Sequence, residues 1–354
     1  MSLTKQPNFP PPGGHEEWGS PTSGECRGGD GRNFGERLRA SKQERFVMNK
    51  EKFTAWIKVI RLHFYPMTWI AYSLGAMAAS SQLAEWNLAV YCIGYLVLFF
   101  IELSTILANE YYDYGTDRVN KNAGPFTGGT RVLVEGKLGF AEVRSGIWVS
   151  VFLAVGFGYL LTRVDEQVGS SSILLLILMG IFLGLGYTVP PLKFSYRGLG
   201  EVTVAFTHSP YVILCGYVFQ GGSWADPLPW LLSIPLFLAT LAAIILAGIP
   251  DRLADKEVSK KGVAVLWGPR EAVLLAFFFA CLASLSGVLL AHFHILPGSP
   301  GKWIWGAVPH GILLLLALFK LIRSGNYDRR IDGIMALALS FIIWFGLIPL
   351  ISFL

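Results

Sequence analysis

Apolar runs of about twenty residues follow one another along this chain with short polar breaks between them, at about 54–80, 87–109, 139–162, 171–190, 199–219, 229–250, 270–293, 303–322 and 332–353. A run of that length is what an α-helix needs to cross the ~30 Å hydrocarbon core of a bilayer, where no water satisfies the backbone. The runs restrict the chain to an all-α integral membrane protein with nine transmembrane helices forming one bundle. Composition agrees: only 15% of residues are charged, against about 25% in a soluble domain. A length of 354 residues allows two soluble domains, but the succession of runs points to one membrane-embedded domain over 48–354. Residues 1–47 are Pro-, Gly- and charge-rich without apolar periodicity, and are expected to form a disordered tail. Met48 is an alternative start. The tail has no apolar stretch of the signal-peptide kind, so the first span itself is expected to direct insertion. Cys26, Cys92, Cys215 and Cys281 show no paired spacing, which argues against a disulfide framework or a Cys-based metal site.

Charge between the runs fixes an orientation. Segments 110–137, 191–198, 251–269 and 320–332 carry fourteen Lys and Arg residues, while 81–86, 163–170, 220–228 and 294–302 carry only Arg163 and Lys302. The bias toward Lys and Arg on the inner side of a membrane assigns the first set to the cytoplasm.

Two of those cytoplasmic segments open with carboxylates. NEYYDYGTDRVNK, at the end of the second run, spaces Asn109, Asp113 and Asp117 four apart, with Glu110 beside them; IPDRLADKEVSKKG, at the end of the sixth, spaces Asp251 and Asp255 likewise. On a helix, residues four apart share one face. Carboxylates gathered in a low dielectric repel one another, so they need protons, basic partners or a cation. Such residues also mark where helices leave a bilayer, but the spacing occurs twice, and a carboxylate near membrane depth is costly enough to want a use. The two clusters are expected to meet across one mouth of the bundle, lining a central cavity open to the cytoplasmic side. Oxygen ligands on facing helices, without nearby His or Cys, suit Mg²⁺, which completes its shell with phosphate oxygens. A diphosphate is the natural third party. Lys121, Arg131, Lys193, Arg197, Lys256, Lys260 and Lys261 lie in the same cytoplasmic segments as candidate partners for it, although the inside bias alone would put Lys and Arg there.

These residues resemble the motifs of the UbiA superfamily of intramembrane prenyltransferases. Asn109, Asp113 and Asp117 fit that family's first motif; Asp251 and Asp255 fit its second, and Lys260, Lys261 and the AVLWG stretch over 264–268 are similar to the basic and small-residue ending of that second motif. Arg61 occupies the place of the family's pocket Arg, and GYTVPPLKFSYRGLGE, with Tyr187, Lys193, Arg197 and Glu201, looks like the link between its fourth and fifth helices. The likeness runs from about residue 53 to the C-terminus. It departs at Glu110, where Asp is usual, at Leu253, where an acidic residue is common, and at Ser259 in place of Gly, which leaves the number of metal ligands per cluster open.

The resemblance implies Mg²⁺-dependent transfer of a polyprenyl group from its diphosphate to an acceptor, with Asn109, Asp113, Asp117, Asp251 and Asp255 as metal ligands. An allylic cation formed in a water-poor cavity would be steadied by aromatic faces, for which Tyr111, Tyr112, Tyr114, Phe126 and Tyr187 are candidates beside their role in packing. GPFTGGTRVLVEGKL and YRGLGE look most like the branch acting on 1,4-dihydroxy-2-naphthoate in menaquinone synthesis, with Arg61 and Arg197 as candidates to hold the acceptor carboxylate. Other acceptors, 4-hydroxybenzoate, a chlorin, haem or a glycerol phosphate, stay open, and an ion-coupled secondary transporter is the rival from a different class. His208, beside Pro210 in the fifth run, is either packed against the proline kink or an acceptor-contacting base. The expected partners are polyprenyl diphosphate, an aromatic acceptor and the lipid bilayer, in a bacterial-type inner membrane, with no nucleic acid.

Overall fold

Glycine and proline set where these helices stop and bend. The computed structural model describes residues 50–62, 64–122, 124, 128–164, 170–298, 300–327 and 331–354; the tail expected over 1–47 lies outside the described residues. Helical backbone over 50–60 (α1) gives way at Arg61, whose φ of 55° is left-handed. Pro66 then occupies the first turn of α2 (Tyr65–Leu83), where its missing N–H leaves no helical bond unmade. The first expected span is therefore two helices. Next come α3 (Leu88–Tyr112), α4 (Tyr114–Val119), α5 (Phe140–Val164), α6 (Ser170–Gly186), α7 (Gly200–Phe206), α8 (Val212–Phe219) and α9 (Pro227–Glu257). The chain ends with α10 (Val263–Leu266), α11 (Pro269–His292), α12 (Ala307–Ser324) and α13 (Asp332–Phe353).

Among the described residues, seven segments are long and apolar enough to cross a membrane: α3, α5, the run Gly200–Phe219, α9, α11, the run Gly301–Ser324 and α13. They answer to seven of the expected spans. The expected span 171–190 is a shorter apolar helix, the 17-residue α6, because the chain turns at Tyr187 and Thr188 ahead of Pro190 and Pro191. α2 has 19 residues but mixes Thr68, Ser73, Ser80, Ser81 and Gln82 with its apolar groups. Large apolar side chains, among them Trp148, Phe152, Leu178, Phe278 and Leu316, face outward. In water that belt would drive aggregation; for this integral membrane protein it is the lipid contact.

Inside, α3 packs on α5, α9 on α11, and α2 on both α8 and α13. The α2–α8 contact is a backbone approach: a Cβ at Gly75 would collide with the Ile213 carbonyl, and one at Gly216 with the Tyr72 carbonyl. Small residues allow such contacts where the lipid supplies no hydrophobic drive between helices. Between α7 and α8 the chain makes one wide π-helical turn, Thr207–Tyr211, around Pro210, which has no N–H to give the helical ladder. α2, α3, α6, the α7–α8 run, α9 and α13 together surround a cavity of about 390 Å³.

Candidate active site

The helix carrying the first motif is interrupted. α3 stops at Tyr112 and α4 begins at Tyr114, so Asn109, Asp113 and Asp117 do not lie on one unbroken helix as expected. Their register nevertheless survives, because the Asp113 N–H donates to the Asn109 carbonyl and the Asp117 N–H to the Asp113 carbonyl, both at 2.9 Å. The second motif lies on the last turns of α9, which continues to Glu257 through Pro250 instead of stopping near 250.

Lys260 joins the two clusters. Its Nζ donates to Asp113 Oδ2 at 2.8 Å and lies 3.8 Å from Asp255 Oδ1. Burial disfavours the ammonium, but the Asp113 and Asp255 carboxylates outweigh it and hold the Lys260 pKa well above the usual lysine range. Asn109 Nδ2 also donates to Asp113 Oδ2, at 2.7 Å, and the Tyr196 hydroxyl donates to Asp113 Oδ1 at 2.9 Å. The Tyr196 ring lies beneath Lys193 and Lys260, whose Nζ atoms are 4.5 and 5.5 Å from its centroid. On α9, Asp251 Oδ1 accepts from Asn120 Nδ2 at 2.8 Å and Oδ2 from the Gly128 N–H at 3.2 Å. Asp117 presses its carboxylate against Gly129, at φ 71°, where a Cβ would collide with it. Burial, with the Glu110 and Asp113 charges adding to it, pushes the Asp117 carboxyl up to about 7. Tyr187 is half-buried on the cavity wall, and burial pushes its hydroxyl up to about 12.

Two glutamates hold the rim in shape. Glu110 is 2% exposed, and its oxygens accept from the N–H groups of Val132 (2.9 Å), Thr130 (3.2 Å) and Leu133 (3.5 Å), with Arg61 Nη2 at 4.0 Å. The residue that departs from the usual Asp thus spends its carboxylate on the 130–133 loop and does not line the cavity. Glu201 accepts from the Val263 N–H at 2.7 Å, tying the start of α7 to α10. Leu253 is 50% exposed, on the outer side of α9, so the missing acidic residue there takes nothing from the cavity wall.

Of the residues singled out in the sequence, Arg61, Asn109, Asp113, Asp117, Tyr187, Asp251, Asp255, Lys260 and His208 line the cavity. Lys121, Arg131, Lys193, Arg197, Lys256 and Lys261 are not among its lining residues. Arg131 turns back to the carbonyls of Asp117 (2.6 Å) and Asn120 (3.2 Å), and Arg197 donates to the Pro191 carbonyl at 2.7 Å. Tyr111 and Tyr114 meet Phe140 edge-on, at 5.5 and 5.0 Å between centroids, away from the cavity wall; Phe126 lies outside the described residues. Tyr196 and Asn120 are site residues that the sequence reading missed. Asn120 follows Asp117 at helical spacing of three, a signal available in the sequence, whereas nothing in the sequence pairs Tyr196 with Asp113.

Among the described residues no three Asp, Glu, His or Cys side chains converge on one point. The mouth instead holds carboxylates in two facing groups with an ammonium bridging them, which is a wall that requires positive charge. The donors are all oxygen, as Mg²⁺ prefers.

The model of the UbiA prenyltransferase family matches residues 67–348. A digeranylgeranylglyceryl phosphate synthase from Thermococcus gammatolerans is 24% identical over 286 residues, covering 78% of this chain and 89% of the relative. A 1,4-dihydroxy-2-naphthoate octaprenyltransferase from Escherichia coli is also 24% identical, covering 78% of this chain and 85% of the relative. A UbiA homologue from Archaeoglobus fulgidus, solved bound to DMAPP and Mg²⁺, superposes with a TM-score of 0.53 at 15% identity, over 83% of this chain and 98% of that one.

Proposed function

The chain belongs to the UbiA prenyltransferase family, and on that premise we propose that it transfers a polyprenyl group from polyprenyl diphosphate to 1,4-dihydroxy-2-naphthoate, with Mg²⁺, as a step of menaquinone synthesis. The observation that carries the reading is Lys260, half-buried between Asp113 and Asp255 at the polar mouth of a cavity whose remaining wall is largely apolar. Such a mouth receives a charged diphosphate, and the apolar wall receives what the diphosphate carries. Asp113, Asp117, Asp251 and Asp255, with Asn109, would hold the metal, which when bound supplies Lewis-acid charge for the diphosphate oxygens.

The chain's own groups do the remaining work. Lys260 donates to the leaving diphosphate as the carbon–oxygen bond breaks and its electron pair moves to oxygen, the step in which aimed positive charge counts most. Asn120 and Tyr196 fix the rotamers of Asp251 and Asp113. Arg61 adds positive charge on the Asp117 side. The apolar wall excludes water from the allylic cation, and the Tyr187 ring offers it a π face. A polyprenyl tail enters sideways from the lipid, which is why the enzyme belongs in a membrane.

The acceptor rests on the relative from Escherichia coli; the relative from Thermococcus gammatolerans makes a glycerol phosphate the second reading. The proposed topology is nine spans over 48–354, with the mouth facing the cytoplasm of a bacterial-type inner membrane, supported by the distribution of Lys and Arg. The deciding experiment incubates membranes with labelled prenyl diphosphates and a panel of acceptors, with and without Mg²⁺. Lipid-soluble product with 1,4-dihydroxy-2-naphthoate only when Mg²⁺ is present supports the reading; product only with a glycerol phosphate replaces it.

A further inference from the structure

Away from the mouth, the cavity holds a second polar group that the leaving-group chemistry does not use. Glu102 lines the cavity from the middle of α3, about three helical turns before Asp113, or about 16 Å along the axis at 1.5 Å per residue. Thr68 stands within interaction range of Glu102 and His208 is its nearest base, yet among the described residues no well-formed hydrogen bond reaches either carboxyl oxygen. His208 comes from the π-helical turn at Pro210 on the facing wall, and its Nε2 lies 4.0 Å from Glu102 Oε1. Nδ1 is 3.0 Å from the Val204 carbonyl; a carbonyl only accepts, so Nδ1 donates to it and Nε2 is the ring atom left facing Glu102.

That arrangement has a chemical demand. A buried carboxyl group without a well-formed hydrogen bond is an expensive feature to keep, and a separation of 4.0 Å is too long for a direct hydrogen bond to His208. It leaves room for one small atom that reaches both groups from the cavity. An isoprenoid tail has no such atom, since it neither donates nor accepts. A hydroxyl does both: with Nδ1–H engaged by Val204, a single proton held between Glu102 and Nε2 sits on one of them, which donates to the hydroxyl oxygen while the hydroxyl donates to the other. The depth selects which substrate brings it: the distance from the acidic mouth is the length of a diphosphate, the reacting carbon and one aromatic ring.

We propose that Glu102 and His208 form a binding station for a ring hydroxyl of the aromatic acceptor, and that this pair sets acceptor specificity. The proposal rests on the aromatic-acceptor reading above. The π-helical turn has a stated purpose in it, because the wider turn at Pro210 turns His208 toward α3.

The test measures equilibrium binding to the full chain in detergent, with Mg²⁺ and inorganic diphosphate present, so that differences in ring reactivity do not enter. The probes are 1,4-dihydroxy-2-naphthoate and its two monodeoxy analogues, 1-hydroxy-2-naphthoate and 4-hydroxy-2-naphthoate. Wild-type protein is expected to lose at least tenfold in affinity when one particular hydroxyl is removed. In Glu102→Gln and in His208→Gln that loss is expected to shrink below threefold, while the Kd for geranyl diphosphate stays within twofold of wild type. Equal binding of all three naphthoates by wild type overturns the proposal without any variant being needed. Variants that weaken all ligands alike, or chiefly geranyl diphosphate, overturn it as well, because they give the pair a packing or leaving-group role. A parallel turnover assay of wild type separates the two levels: product without hydroxyl discrimination sinks the station alone, and no product with any hydroxyarene sinks the aromatic-acceptor reading with it.

Discussion

Asp113 is the most heavily used side chain at the mouth, with Asn109, Tyr196 and Lys260 all donating to it. Asp255, across the cavity, has Lys260 as its charged neighbour. Asp113→Asn and Asp255→Asn keep the side-chain shape and remove one carboxylate charge from the mouth. Each is expected to lower turnover by on the order of 100-fold or more, as removal of one transition-state contact does, with expression near wild type on an immunoblot of membranes. The two arginines proposed for the acceptor carboxylate part company. Arg61 lines the cavity beside Glu110 and its charge acts on Asp117, whereas Arg197 is bonded to the Pro191 carbonyl away from the lining. Arg61→Lys is expected to raise KM several-fold for prenyl diphosphate and less for acceptor, as loss of ground-state binding does, and Arg197→Lys to leave both within about twofold; steady-state kinetics with each substrate varied in turn will show it.

Elements are tied together by few groups. Glu110 alone accepts from three N–H groups of the loop over 130–133, and hydrogen bonds to a charged acceptor are worth about 1.5–3 kcal/mol each. Glu110→Ala is expected to free that loop, which limited proteolysis would detect as new cleavage between 128 and 137, and to raise KM for diphosphate while α3 stays helical. The α2–α8 contact is of the opposite kind, held by the absence of side chains. Gly216→Val puts methyl groups against the Tyr72 carbonyl and is expected to destabilise the protein by about 1–3 kcal/mol, read as a lower midpoint in thermal unfolding in detergent. An unchanged midpoint would mean that the two helices separate without loss.

For the whole molecule, orientation is the open property with the sharpest test. Replacing Cys26, Cys92, Cys215 and Cys281 and then introducing one cysteine at Lys121 or at Lys302 gives two reporters on opposite sides of the proposed topology. A membrane-impermeant thiol reagent added to intact cells is expected to label position 302 and spare 121; the reverse pattern would invert the orientation. Much of this molecule was legible in the chain itself. Twenty-residue apolar runs have few folded solutions in lipid, because each backbone polar group must be satisfied within its own segment, so helices and most of their limits followed from local sequence. Four-residue spacing likewise put Asp113 with Asp117 and Asp251 with Asp255, since periodicity fixes a face. Which side chains meet across the cavity is a matter of where separate helices pack, and local sequence carries no record of it. Tertiary structure alone brought Lys260 to Asp113 and Tyr196 to the same carboxylate, turned Glu110 to a loop and Arg197 away from the cavity, and set His208 of the α7–α8 run against Glu102 of α3.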